Sequence, residues 1–198
     1  MSADGIPSSR ASTSTSSTAV EEARRRFAVE WFDYAAATEE EKKQIGEVYR
    51  YVFEHDIQLT FDPSLDADFV DPLKYYGAAN RGAFLVVRDL STPERKIVGT
   101  AGLRHLKELG NEAELKRMFL LPLCRGAKLG FIMARMVMER ARQLQYDAIV
   151  LDTKKRLAAA NRVYEVLGWT DCENYNGNPR ADRFMRLRLT VTRPSSKL

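Results

Sequence analysis

The stretch CRGAKLG, from Cys124 to Gly130, sets one arginine and two glycines in a short turn that runs directly into a methionine-bearing helical pattern. A turn of this kind suits an anion. The first N–H groups of a helix have no intrahelical acceptor, and together with the helix dipole they favour negative charge. Gly126 and Gly130 allow close backbone approach, and Arg125 adds a planar fork that matches phosphate oxygens. The chemistry expected here is the grip of a pyrophosphate. Metal chemistry and a Ser-His-Asp triad have little to draw on. His55 and His105 are isolated, and Cys124 and Cys172 show neither metal-site spacing nor a disulfide framework.

The elements that position this turn can be read from periodicity. Before it lie three strand candidates, GAFLVVRD, KIVGTAGLRHL and AELKRMFLL, separated by polar turns and expected to form an antiparallel meander. In the third, the alternation through Glu114, Leu115, Lys116 and Arg117 slips phase at the apolar run Met118–Leu121. A β-bulge gives such a slip and leaves backbone groups free for a ligand. After the turn, Leu129, Ile132, Met133, Met136, Val137 and Leu144 mark the buried stripe of a long helix. YDAIVLDT reads as a buried strand, and a helix over 157–167 stops at Gly168. WTDCENYN and FMRLRLTV are expected as closing strands. Upstream, RFAVEWFDY reads as a first strand, and Thr38 with Glu41 forms a capping box for a helix through Ile45, Val48, Tyr49, Val52 and Phe53. Residues 56–80 read as loop with short helix facing a substrate.

The 198 residues, 44% hydrophobic and 29% charged, fit one globular domain. The division expected is a disordered Ser/Thr-rich tail over 1–20, a folded domain over 21–193 and an exposed tail over 194–198. No run is long enough for a membrane span. The net charge of +4 is spread along the chain and mixed with acids, so nucleic acid is not the expected partner. The chain closes on Ser196-Lys197-Leu198, the tripeptide read by the peroxisomal import receptor. Location in peroxisomes or a related organelle such as the glycosome is therefore expected, and otherwise the cytoplasm.

AELKRMFLLPLCRGAKLGFIMARMVMERARQLQYDAIVLDT followed by AAANRVYEVLGW resembles the acetyl-CoA-binding half of the GNAT superfamily of N-acetyltransferases. The likeness covers residues 82 to 190, and NYNGNP, Asn174 to Pro179, resembles a stretch of one GNAT subgroup. It implies an α/β fold with a mixed, mostly antiparallel central sheet flanked by helices. It implies acetyl-CoA as cosubstrate, no metal, and an amine acceptor of unknown identity. The family turn R-x-x-G-x-G or R-x-x-G-x-A is matched by Arg125, by Lys128 in place of the first glycine, and by Gly130, so the backbone of Gly126, Ala127, Lys128 and Leu129 would wrap the pyrophosphate. Met118, Phe119 and Leu120 would pair with the pantetheine arm, and Asn161 would contact that arm near its far end.

An amine of pKa about 10 is mostly protonated at neutral pH and needs a base before it attacks a thioester. The resemblance and the position before the bulge point to Glu114 as that base, and Tyr164 matches the family tyrosine that protonates the leaving thiolate. A strand N–H near Phe119 would meet the oxyanion. Because the family reaction is direct attack in a ternary complex, Cys124 is read as packing. Tyr51, Tyr75, Tyr76 and Tyr175 are candidates for the acceptor pocket. Two alternatives stand beside the enzyme: a CoA- or acyl-CoA-binding module without catalysis, suggested by Lys128, and a basic nucleic-acid-binding protein, suggested by the pI of about 9.1.

Overall fold

Thr38 begins the first helix as its sequence predicts. Its hydroxyl accepts from the Glu41 N–H at 3.2 Å, and the Glu41 carboxylate accepts from the Thr38 N–H at 2.9 Å. The structure, a computed structural model, describes residues 25–190. The 1–20 segment, the domain limits at 21 and 193, and the Ser196-Lys197-Leu198 tripeptide lie outside the described residues. Among the described residues no helix is long and apolar enough to cross a membrane.

The chain runs β1 (Phe27–Trp31), α1 (Glu39–Tyr51), one turn of π-helix (Val52–Ile57), two short helices α2 (Ala67–Val70) and α3 (Pro72–Tyr76), and the strands β2 (Ala83–Asp89), β3 (Ile97–Leu106) and β4 (Glu112–Leu120). Next come α4 (Leu129–Gln143), β5 (Ala148–Thr153), α5 (Ala158–Val166), β6 (Thr170–Asp171) and β7 (Arg183–Arg188). They form one seven-stranded sheet in the order β1-β2-β3-β4-β5-β7-β6. Only β4 and β5 run parallel, so the sheet is mixed and mostly antiparallel, flanked by helices.

β2 reads as a continuous apolar run because both of its faces are covered. Leu85 and Val87 join Leu103, Met133, Val137, Ile149 and Met185 beneath α4 and α5, whereas Phe84 and Val86 join Ile45, Val48, Tyr49 and Tyr76 beneath α1. The expected strand over WTDCENYN shortens to Thr170–Asp171, that over RFAVEWFDY to Phe27–Trp31, and the first helix gives way to π-helix at Val52. Asparagine side chains offer the backbone a competing set of partners. Asn174 Oδ1 accepts from the Gly177 N–H at 2.7 Å, Asn176 Oδ1 from Asn178 at 3.1 Å, and Asn178 Oδ1 from Arg180 at 3.0 Å. These chained turns make residues 172–182 a loop that folds back over the sheet.

The bulge expected in β4 is present. Thr100 faces Phe119 and Gly102 faces Lys116, so Ala101 stands opposite both Arg117 and Met118. Arg117 takes the left-handed conformation, φ 55°, and Thr100 Oγ1 donates to its carbonyl at 2.8 Å. Gly102 supports this bulge from the neighbouring strand. A Cβ there would lie 2.3 Å from Cε1 of Tyr76, whose ring is buried on the sheet and whose hydroxyl donates to Asp68. Gly102→Ala should therefore destabilise the fold by about 1–3 kcal/mol through overpacking. Chemical denaturation measures it, and an unchanged midpoint would show that the Tyr76 ring can move aside freely.

Candidate functional site

A cavity of about 1090 Å³ runs from the 125–130 turn, past the β4 bulge, to the 174–181 loop. At the turn, Gly126 has φ 82° and Lys128 has φ 59°, ψ 15°. Lysine thus adopts the left-handed geometry that glycine takes without cost, at an expense of about 1 kcal/mol. The first α4 hydrogen bond is from the Ile132 N–H to the Lys128 carbonyl, 3.2 Å, and no acceptor among the described residues takes the N–H groups of Gly126 through Phe131. These donors line one end of the cavity. Ala127 is the exception among side chains, since it packs into the core and is not part of the wall.

Past the turn, β4 and β5 pair only at Glu112–Ala148, Ala113–Ile149 and Glu114–Val150. Beyond Glu114 the β4 edge has no ladder partner, and the bulge turns Met118 toward α5 and Phe119 toward α1. Phe119 meets Tyr49 and Phe53 edge-on, while the Tyr164 hydroxyl points at the Met118 sulfur, 3.8 Å away. Burial raises the Tyr164 phenol, with the nearby Asp152 charge adding to the effect, so it stays protonated at neutral pH. Gly130 brings the turn close to this point, because a Cβ on it would lie 3.4 Å from the Met118 methyl carbon.

The sequence profile of the Acetyltransferase (GNAT) family matches residues 49–169. The chain belongs to the GNAT acetyltransferase family. An uncharacterized N-acetyltransferase of Schizosaccharomyces pombe is 32% identical over 147 residues, 72% of this chain and 85% of that protein. N-acetylaspartate synthetase of Danio rerio is 30% identical over 121 residues, 61% of this chain but 41% of that protein. Among solved structures, a GNAT acetyltransferase of Staphylococcus aureus superposes with TM-score 0.70 at 21% identity, over 82% of this chain and 100% of that one. An acetyltransferase of Salmonella typhimurium with bound acetyl-CoA gives 0.62 at 18% identity, over 87% and 99%.

Within this GNAT frame the residues singled out in the sequence fall into three groups. Met118, Phe119, Leu120, Arg125, Gly126, Lys128, Leu129, Gly130 and Tyr164 line the one cavity. Asn161 is elsewhere. Its amide donates to the Lys154 and Lys155 carbonyls at 3.0 and 3.1 Å, tying the β5–α5 connection, and its Oδ1 is buried without a partner on the wall of a second, shallower pocket. Glu114 lies off the cavity wall. It is fully buried, with Arg104 Nε at 2.5 Å on one oxygen and the Tyr175 hydroxyl at 2.7 Å and Asn176 amide at 3.2 Å on the other. The four tyrosines expected in an acceptor pocket are not in the wall either: Tyr51 stacks on His55, Tyr75 lies under Arg104, Tyr76 is buried against Asp68, and Tyr175 holds Glu114. Cys124 is buried and its thiol is pushed up to about 11, chiefly by burial, so it is unreactive at neutral pH.

Asp56, Asp66 and Asp152 line the cavity, and of these Asp152, at the end of β5, stands outside any ion pair among the described residues. Its Oδ2 accepts from the amides of Asn176 and Asn178 at 2.7 and 3.0 Å, and its Oδ1 has no partner among the described residues. Burial would raise this carboxyl, but the charge of Lys116 and the two amides outweigh it and hold it below the usual aspartate range. LDT looks like an ordinary strand end in the sequence. Only the NYNGNP turns, folding back onto β5, distinguish its aspartate.

Arg125 also has a partner that its motif does not announce. Its Nε donates to the Leu120 carbonyl at 2.9 Å, and its fork closes on the Asp56 carboxylate of the π-helical turn, with Nη1 at 3.2 Å and Nη2 closer. An anion at the turn has to compete with Asp56 for this guanidinium. The pair is partly exposed and so is worth no more than about 1 kcal/mol. Asp56→Asn should tighten coenzyme A binding by up to about fivefold. Calorimetry reads the change, and weaker binding in the variant would mean that Asp56 instead braces Arg125 for the ligand.

Proposed function

We propose that the protein transfers the acetyl group of acetyl-CoA to an amine by direct attack within a ternary complex. The observation that carries this reading is the single cavity that joins free amide donors at the α4 N-terminus to a protonated tyrosine and an open carboxylate. The pyrophosphate takes the N–H groups of Gly126 through Phe131, with Lys128 alongside. The pantetheine arm lies along the unpaired edge of β4 at Met118, Phe119 and Leu120, in the gap where β5 would otherwise pair. That places the thioester between Met118 and Tyr164.

The amine nitrogen adds to the thioester carbonyl carbon, and the negative oxygen is met by an N–H of the open β4 edge near Phe119. The intermediate collapses by breaking the C–S bond. Tyr164 gives its hydroxyl proton to the departing thiolate, which replaces the Met118 sulfur as its neighbour, and recovers a proton from solvent. The nitrogen, positively charged once it has attacked, releases its proton to Asp152, directly or through one water. We assign the base to Asp152 because Glu114 has its oxygens occupied and no access to the cavity. Glu114 acts at one remove, since it holds Asn176, which in turn holds Asp152.

Asp152→Asn and Tyr164→Phe should each lower kcat by roughly 10²- to 10⁴-fold with little change in acetyl-CoA affinity, whereas Glu114→Gln should act mainly on stability. Assays of CoA release across an amine panel test this, and a larger catalytic loss in Glu114→Gln would return the base to Glu114. The pH dependence gives a separate check. Asp152 titrates below the usual aspartate range and Tyr164 above the neutral range, so neither should titrate between them. kcat/KM should climb with pH until the acceptor's own amine pKa, about 8 to 10, is passed. A break near pH 6 to 7 would require a different proton acceptor.

A further inference from the structure

The acceptor end of the cavity is bounded by β4, β5, the 59–66 segment and the 174–181 loop, and its charges balance in a particular way. Arg117 is spent on Asp66 and Asp68, and Arg180 on Asp66 and the Thr60 carbonyl. Those two carboxylates are nearly inaccessible, with side chains 2% and 1% exposed. Among the described residues, the charged side chains of the cavity wall that stand outside any ion pair include Lys116 on β4 and Asp152 on β5, with Lys154 and Arg156 following β5.

The strand register relates the first two. Glu114 pairs with Val150, and two residues further along each parallel strand come Lys116 and Asp152. They therefore occupy corresponding positions on the same face of the sheet, across the gap where β4 and β5 have parted. The Lys116 side chain is half-buried and makes no hydrogen bond among the described residues, and Asp152 keeps Oδ1 open among them. A cation outside any ion pair, opposed to an anion with one oxygen open, matches a ligand that carries both charges a few bonds apart.

We infer that the acceptor is an amino acid, or a similarly small amine with a carboxylate beside its nitrogen, and that Lys116 is the residue that selects it. The inference rests on the acetyl-transfer reading above. The amino group hydrogen-bonds to Asp152 Oδ1 and faces the thioester, while the carboxylate takes the Lys116 ammonium. A polyamine fits poorly, because its second ammonium would meet Lys116 with no carboxylate left to receive it. A protein N-terminus offers an amide oxygen where the carboxylate should be, a weaker partner for an ammonium.

The test compares matched acceptors with acetyl-CoA: amino acids, their carboxamides, the corresponding decarboxylated amines, and spermidine. The acid should exceed its own amide in kcat/KM by roughly ten- to a hundredfold, mainly through KM. Lys116→Met should remove most of that ratio, and Lys116→Arg, which keeps the charge, should preserve much of it. Amides or polyamines equalling the acids in the wild type, or Lys116→Met lowering acids and amides alike, would overturn the inference and leave acetyl transfer standing. Failure of every amine to release CoA would overturn both.

Discussion

A buried guanidinium holds the working half of this molecule in shape. Arg117 donates to Asp68 through Nε and Nη2 and to Asp66 through Nη2, with its plane 4.0 Å over the Phe69 ring, and its side chain is only 7% exposed. Burial on its own would raise the Asp68 carboxyl, but the hydrogen bonds and charge of Arg117, with the Tyr76 hydroxyl, hold it below the ordinary range. Such a group is not a large net source of stability against an apolar alternative. Removing one member, however, strands the others at a cost of about 3–5 kcal/mol. Its contribution is positional. It keeps a non-glycine residue left-handed in the β4 bulge and ties the 59–71 segment over the cavity.

From that point the geometry propagates in both directions. The bulge reverses the faces of Met118 and Phe119, which is why one reaches Tyr164 and the other the Tyr49–Phe53 aromatic cluster. Asp66, held by Arg117, also accepts from Arg180 at 2.9 Å and so fixes the far side of the 174–181 loop. The near side of the loop is fixed by Glu114 and Asp152 through Asn176. The two carboxylates have different duties because of where this loop places its donors. Glu114 is enclosed by Tyr175 and Asn176 of the loop together with Arg104 of β3, and Asp152 is engaged on a single oxygen.

Much of this architecture was readable from the chain itself. The meander, the phase slip in β4, the amphipathic α4, the capping box and Gly168 as a helix stop rest on local rules that packing did not override. What stayed hidden depends on contacts distant in sequence. Nothing near Arg125 signals Asp56, 69 residues away, and nothing near Asp152 signals Asn176 and Asn178. The sequence points to Glu114 as a base, yet Arg104, Tyr175 and Asn176 enclose it. The strand expected over WTDCENYN stops at Asp171 because the Asn side chains that follow capture the backbone. Lys128 shows the opposite case, where a lysine accepts a glycine conformation and the turn keeps its form.

The brevity of the β4–β5 pairing has a mechanical side. Three register pairs make up the strand ladder that joins β1 to β4 with β5 to β7. The weakest seam of the sheet thus coincides with the place where a long, flexible coenzyme arm would lie. A molecule lying there would touch both half-sheets and add to the cohesion that their shared core beneath α4 already supplies.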